Sequence, residues 1–298
     1  MSTFTDRALG DRADQEIELG LAAPDSGPRV SAPFGRRLCP VESNDAVGEY
    51  RLLAAADAGG PAPLAGQFYM LAAAEGWGDG ASQRPYLARA FSVCRARHGV
   101  LEFLVDAIGP GTARLASLEP GDDLWIVGPL GVGYGAPEGL AGDAEADAIL
   151  VGGGIGVAPL VIWERALRER GVGTTVLLGF RSQAFAPAVA LFEGEAAVAT
   201  DDGSVGRHGL VTVLLESELC ERSRAAVYAC GPPAMLEATR RVCLRHDVPA
   251  QLALEETMAC GFGACFGCAI RTRTGYRRLC VDGPVVSAAD LDETWLRE

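Results

Sequence analysis

The sequence predicts three successive units: an antiparallel β-barrel, an α/β domain on a mostly parallel sheet, and a small C-terminal loop domain carrying four cysteines. Three observations predict them. Short apolar stretches separated by turn residues run from Leu38 to about Tyr134, the spacing of a barrel or sandwich. Apolar strands then alternate with amphipathic helices, the βαβ pattern of a parallel sheet covered on both faces. Finally, four of the nine cysteines stand at or beyond position 260.

Residues 1–37 are rich in Asp, Arg, Pro and Gly without helical or alternating period and read as a mobile extension. The barrel is expected over residues 38–140, with strands at Tyr50–Leu53, Gln67–Leu71, Ala90–Val93, Val100–Val105 and Asp123–Val127. Gly135–Asp143, with three Gly and one Pro, reads as a connection that interrupts any element. The α/β domain follows over 141–254. Its strands are expected at Ala148–Gly152, Thr174–Phe180, around Val198, at Ala225–Cys230 and at Ala250–Leu254, and its helices at Ala158–Arg170, Leu210–Glu218 and Pro233–His246. Residues 255–298 fit neither pattern.

Composition bounds the chemistry. The 298 residues are 49% hydrophobic and 22% charged, enough to bury a sizeable core. The 39 acidic against 26 basic residues give a net charge of -13, which argues against nucleic acid and anionic lipid as partners. Every basic residue is Arg, so Schiff-base chemistry and lysine-dependent nucleotide sites are excluded. Met1–Leu21 carries acids where a signal peptide needs a basic region before an apolar core. No apolar run reaches the ~18 residues of a membrane span, and a reducing cytoplasm is expected. Cys39, Cys94, Cys220, Cys230 and Cys243 sit in apolar surroundings, where a free Cys behaves as a small buried hydrophobe.

The sharpest chemical signal is Cys260, Cys265 and Cys268 in C-x4-C-x2-C spacing, with Cys280 after eleven more residues. This is the plant-ferredoxin-like spacing of a [2Fe-2S] ligand set. Structural zinc is the alternative, although paired C-x-x-C knuckles are the commoner zinc arrangement and only one such pair exists. Arg271, Arg273, Arg277 and Arg278 lie before the last Cys; they offset cluster charge, meet an acidic partner, or form a solvated face.

A second signal is Val151-Gly-Gly-Gly-Ile-Gly-Val-Ala-Pro159, which closes a strand and opens a helix. Gly152, Gly153, Gly154 and Gly156 let backbone approach a pyrophosphate, and Pro159 suits a first helical turn. Tight packing is the other explanation, since the third Gly of G-x-G-x-x-G is absent when the count begins at Gly154. Strand Ala225–Cys230 runs into Gly231 beside another helix start, and two such edges form one crevice. The third signal is Arg89-Ala90-Phe91-Ser92, with Gly109-Pro-Gly-Thr112 after the next strand. Arg pairs with phosphate, Phe stacks on a ring and Ser bonds a ring heteroatom; alone, these four residues read as an ordinary strand.

Together, in this order, these motifs and Cys230-Gly-Pro-Pro-Ala-Met resemble the ferredoxin-NADP reductase superfamily over about residues 40–255. The tail Met258-Ala-Cys-Gly-Phe-Gly-Ala-Cys-Phe-Gly-Cys, with Ala65-Gly-Gln-Phe-Tyr-Met-Leu and Thr200-Asp-Asp-Gly-Ser-Val-Gly, is similar to electron transfer subunits of class 1B dihydroorotate dehydrogenases. The resemblance implies an FAD-binding barrel, an NAD-binding α/β domain and a [2Fe-2S] loop domain. It implies that Arg89 meets the FAD pyrophosphate, that Ala90, Phe91 and Ser92 flank the isoalloxazine, and that Leu104, Val105 and Asp106 offer strand backbone. Gly111 and Thr112 would take a second phosphate contact, Gly152–Gly156 and Pro159 the nicotinamide nucleotide, and Cys230 and Gly231 the nicotinamide. Phe91 stands where reductases outside this group commonly have Tyr, and the extension has no counterpart. The implied partner is an FMN-containing dihydroorotate dehydrogenase subunit, in a heterotetramer serving pyrimidine biosynthesis. NAD(P)H-linked subunits of ferredoxin:NADP oxidoreductase, sulfide dehydrogenase or hydrogenase complexes share this domain order, and the motifs do not separate them.

Overall fold

The computed structural model describes residues 35–78, 85–221, 224–292 and 295–296. The expected extension lies outside them except at its end, where Arg37 already opens the first strand. The barrel is built from β1 (Arg37–Val47), β2 (Tyr50–Ala56), β3 (Phe68–Ala73), β4 (Arg89–Ser92), β5 (Arg95–Arg97), β6 (Val100–Val105) and β7 (Asp123–Leu130), with helix α1 (Pro110–Ala116) between the last two. The strands pair antiparallel in the order β4-β3-β7-β1-β2-β6-β5. The two ends of that order are halves of one chain segment. Only Val93 and Cys94 separate them: Val93 N–H donates to the Gln67 carbonyl on the β3 side, and Cys94 N–H to that of Glu102 on β6. The sheet therefore closes on itself, which removes its free edges. Inside, alternate residues such as Leu53, Leu71, Phe103, Leu124 and Ile126 form a dry core. Arg37 is anchored there by Asp57, at 2.7 Å.

The second sheet contains β8 (Asp147–Gly153), β9 (Thr174–Phe180), β10 (Ala196–Thr200), β11 (Arg207–His208), β12 (Ala225–Cys230) and β13 (Ala250–Ala253). These run parallel in the order β11-β10-β9-β8-β12-β13. Helices α3 (Ala158–Glu169), α4 (Val211–Glu221) and α5 (Pro233–Arg245) cover its faces, and a short α2 (Pro137–Ala141) precedes it. From β8 the chain builds outward through β9 and β10, then returns to place β12 on the other side of β8. That reversal opens a crevice beyond the carboxyl ends of β8 and β12.

The barrel gains β1, β5 and α1 beyond the five expected strands, and three further features differ from the sequence reading. The connection over 135–143 contains α2, because Pro137 sits at a helix start and Gly142 ends it with φ +66. The C-terminal region also joins the second sheet: after β14 (Ala269–Thr272), β15 (Gly275–Arg278) and α6 (Leu279–Asp282), strand β16 (Val285–Ser287) pairs antiparallel with β13. Last, Cys220 is exposed, whereas Cys39, Cys94, Cys230 and Cys243 are buried. Among the described residues no helix is long and apolar enough to cross a membrane.

Candidate functional site: two clefts and a cysteine loop

The first cleft, of about 250 Å³, lies between the barrel and the second sheet. It gathers Arg89, Ala90, Phe91 and Ser92 from β4, Leu104 and Asp106 from the end of β6, Thr112 from α1, and Gly156 and Pro159 from the start of α3. Val105 does not reach it, pointing instead into the barrel core. Arg89 lies against the first turn of α1, where a β-carbon on Gly111 would stand 3.0 Å from its Nε. With no side chain between guanidinium and helix start, an anion can reach both. A phosphate-bearing flavin fits this cradle, with Phe91 and Leu104 as apolar wall and strand backbone at its edge.

The second cleft, of about 540 Å³, opens at the crevice of the parallel sheet. Gly153, Gly154 and Gly156 from the turn after β8 face Gly231 from the turn after β12. Gly154 has φ +55, which an L side chain tolerates poorly. Gly156 packs backbone on backbone, since a β-carbon there would lie 2.5 Å from Gly231 Cα. Two bare turns at a helix start suit a dinucleotide. Gly152 and Cys230 stand behind this wall: Gly152 contacts Leu178, Val157 and Leu160, and Cys230 is 1% exposed. Burial, and secondarily the charge of Glu255, raise the Cys230 thiol well above its ordinary value against the opposing Gly231 amide. It is a neutral packing group rather than a nucleophile.

Asp106, Ile108, Ile155, Gly156 and Glu255 line both clefts, so the two meet at one place. Glu255 follows β13 and keeps solvent-reachable surface in the clefts while being hemmed in by protein; this desolvation raises its carboxyl above the usual range. Sequence reasoning missed Glu255 and Ile108 as site residues, and with them Tyr50, Arg181, Phe185 and Asp201 of the second cleft. The rule that ligands sit past strand ends points to Arg181, Asp201 and Glu255, which follow β9, β10 and β13. No local signal marks Tyr50, a barrel residue.

The four cysteines of the C-terminal region come as two pairs. Burial opposes ionisation of Cys260, but the amides of Phe262, Cys265 and Ala264 and the Cys265 thiol bring it down to about 6. Cys280 is pushed up to about 12 by burial and by Cys268, whose sulfur accepts its amide N–H at 3.4 Å. Among the described residues no three or more His, Cys, Asp or Glu side chains are arranged to hold a single metal ion. The chemistry of four thiols in two pairs fits a [2Fe-2S] cluster, for which Cys260, Cys265, Cys268 and Cys280 would be the ligands. The loop packs on the barrel, for a β-carbon on Gly261 would meet Met70 and Leu130, and Cys268 and Cys280 share a core with Phe68, Leu252 and Leu254.

The four arginines before Cys280 are engaged internally. Arg278 donates to the Gly263 carbonyl at 3.0 Å and lies over the Phe266 ring at 4.9 Å. Arg277 pairs with Asp290 at 2.9 Å, Arg271 with Asp292 at 3.2 Å, and Arg273 donates to the Leu291 carbonyl at 3.3 Å. They tie the cysteine loop to the segment that follows it and do not form a free basic docking face.

Residues 255–292 match the family model described as the iron-sulfur cluster binding domain of dihydroorotate dehydrogenase B. The electron transfer subunit of dihydroorotate dehydrogenase B (NAD(+)) from Geobacillus kaustophilus is 41% identical over 219 residues, covering 71% of this chain and 82% of the relative. The corresponding subunit from Caldanaerobacter subterraneus subsp. tengcongensis is 37% identical over 238 residues, covering 78% and 88%. Among solved structures, an NADH-dependent reduced ferredoxin-NADP oxidoreductase superposes with a TM-score of 0.72 at 23% identity, over 88% of this chain and 92% of that one; this likeness bears on the fold. The chain belongs to the family of dihydroorotate dehydrogenase B (NAD(+)) electron transfer subunits, flavin- and [2Fe-2S]-dependent electron carriers of pyrimidine biosynthesis.

Proposed function

We propose that the chain conveys electrons from an FMN-containing dihydroorotate dehydrogenase subunit, through its cysteine loop and first cleft, to NAD⁺ in the second cleft. The observation that carries this reading is continuity. The two clefts share Gly156, Asp106 and Glu255 as wall, and Met258, on the wall of the first cleft, stands two residues before Cys260. FAD converts between a two-electron hydride and single electrons, and a [2Fe-2S] cluster carries one electron at a time.

Each residue has a share in this. Arg89, Gly111 and Thr112 hold the flavin pyrophosphate, and Phe91 and Ser92 set the ring against the shared wall. Gly153, Gly154, Gly156 and Gly231 admit the dinucleotide close enough for ring-to-ring contact, where orientation rather than acid-base catalysis governs the rate. Gly152 and Cys230 support the two turns from behind. Cys260 and Cys265 take one iron and Cys268 and Cys280 the other. Cys265, Phe262 and Phe266 are exposed on the loop, and this face meets the partner, since tunnelling demands close approach. Residues 38–140, 141–254 and 255–298 act as flavin, nucleotide and cluster domains, with β16 returned to the nucleotide sheet. The complex is a heterotetramer in the cytoplasm.

Co-purification tests the reading. The complex with the FMN subunit should reduce NAD⁺ with dihydroorotate while neither subunit alone does, and light scattering should give two copies of each. A different co-purifying dehydrogenase or hydrogenase, with no dihydroorotate-dependent NADH on mixing, would overturn the partner.

A further inference from the structure

Tyr50 belongs to β2 of the barrel yet lines the second cleft. It is 2% exposed, and unlike the hydroxyls of Tyr69 and Tyr134, which are sealed in without a partner, its own is not a sealed orphan. A phenol at a cleft wall has one O–H to donate, as Tyr228 donates its own to the Gly135 carbonyl at 2.7 Å. The Tyr50 ring is fixed against Phe185, with centroids 5.2 Å apart, so the hydroxyl cannot easily turn elsewhere. It points at the glycine turn: a β-carbon on Gly154 would lie 3.8 Å from its oxygen.

We propose that Tyr50 is a nucleotide-binding residue supplied by the barrel, its hydroxyl donating to a pyrophosphate oxygen of bound NAD(H). The inference rests on the second cleft being the NAD site. Three considerations select a phosphate oxygen. Burial, and then the charge of Asp106, raise the phenol's pKa against the opposing effect of Arg181, so the hydroxyl remains a donor throughout the physiological range and needs an acceptor. Arg181, on the same cleft wall, supplies a positive charge for an anion to meet, set against the carboxylates of Asp106, Asp201 and Glu255 that also line it. And the bare turn after β8, at the start of α3, is where a diphosphate gains most from backbone amides.

The test is Tyr50→Phe, which keeps the ring contact with Phe185 and removes one oxygen. Binding of NAD⁺ and of ADP-ribose to the oxidised holoprotein is measured by calorimetry, alongside FAD and iron content. Both ligands should bind about tenfold more weakly, the worth of one hydrogen bond to a charged group, with FAD and iron unchanged. Unaltered affinity for both would overturn the role of Tyr50 and leave the cleft's assignment standing. Weaker NAD⁺ with unaltered ADP-ribose would overturn the pyrophosphate as its partner. Failure of the unsubstituted protein to bind either ligand would instead overturn the reading of the cleft itself.

Discussion

At the carboxyl edge of the parallel sheet, bare turns at Gly154 and Gly231 bring main chain to the wall of the second cleft, held by strands that are themselves buried. In the cysteine loop the working atoms are side-chain sulfurs, and the backbone between them is secured from outside by Arg278 on the Gly263 carbonyl. The first site inherits its shape from seven hydrogen-bonded strands, so a single side chain modulates it. The second, with the four cysteines as proposed ligands, depends on individual side chains, so losing one should remove the site. The contrast predicts that substitutions separate hydride exchange from electron export, even though Cys268 and Cys280 share a core with Leu252 and Leu254 of the sheet.

The largest expected effect is at the ligands. Cys265→Ser should bring iron to near zero and abolish the EPR signal of the reduced cluster, while FAD content stays at one per chain and NADH still bleaches the flavin at a rate within about twofold of the parent. A variant that keeps its FAD but no longer reacts with NADH would break the comparison, since the clefts would then depend on the loop.

Next in size is the reverse experiment. Gly156→Val places a branched side chain where a β-carbon would already lie 2.5 Å from Gly231 Cα, and neither turn can yield without shifting a strand end. We expect NAD⁺ affinity to fall by about a hundredfold, a stability loss of about 1–3 kcal/mol from overpacking, and an undiminished iron content. Calorimetry and iron analysis on one preparation check all three. Loss of iron here would show that strain crosses from the sheet into the loop through their shared core around Leu252 and Leu254.

The same contrast governs what could be read from the chain before its structure. Motifs that act through their own local conformation were legible as structure: the C-x4-C-x2-C cysteines and Cys280 come together as two pairs, and the glycine turn after β8 faces Gly231 across the second cleft, although Cys230 itself stands behind that wall. The alternation of strands and helices gave the parallel sheet for the same reason, since period and burial are local. What escaped was set by distant partners. Val285–Ser287 is too short to announce a strand and becomes one only against Gln251–Ala253. Tyr50 reads as an ordinary barrel residue until the second domain brings Gly154 to its hydroxyl. The arginines before Cys280 suggest a docking face because the acids that neutralise them, Asp290 and Asp292, lie past the last ligand. Barrel closure is intermediate, for it depends on Val93 and Cys94 carrying one segment from β3 to β6.

The smallest effect expected at either site concerns the strap that ends the cluster domain. Trp295 donates its indole N–H to Glu237 on α5 at 2.7 Å, and Arg240 and Arg241 converge on the same carboxylate at 2.8 and 2.6 Å. Burial opposes ionisation of Glu237, but these three donors outweigh it and lower its pKa from 4.5 to about 2. A carboxyl whose folded pKa is depressed contributes stability above its unfolded pKa and loses it as pH falls through the folded value. The contribution should therefore be complete above about pH 4.5, decline below it and be gone near pH 2. The side chain is 13% exposed, and after discounting for solvent the pair of arginines and the indole are worth about 2 kcal/mol at neutral pH. The measurement is the difference in unfolding free energy between the parent and Glu237→Gln along a pH series, which cancels the other carboxylates. That difference should shrink over the stated window, with Trp295 fluorescence reporting release of the strap. NAD⁺ affinity and iron content at neutral pH should not change, because Glu237 lines neither the first nor the second cleft. A pH-independent difference would mean that the carboxylate acts only by packing, and a loss of iron in the variant would make the strap part of the loop's own support.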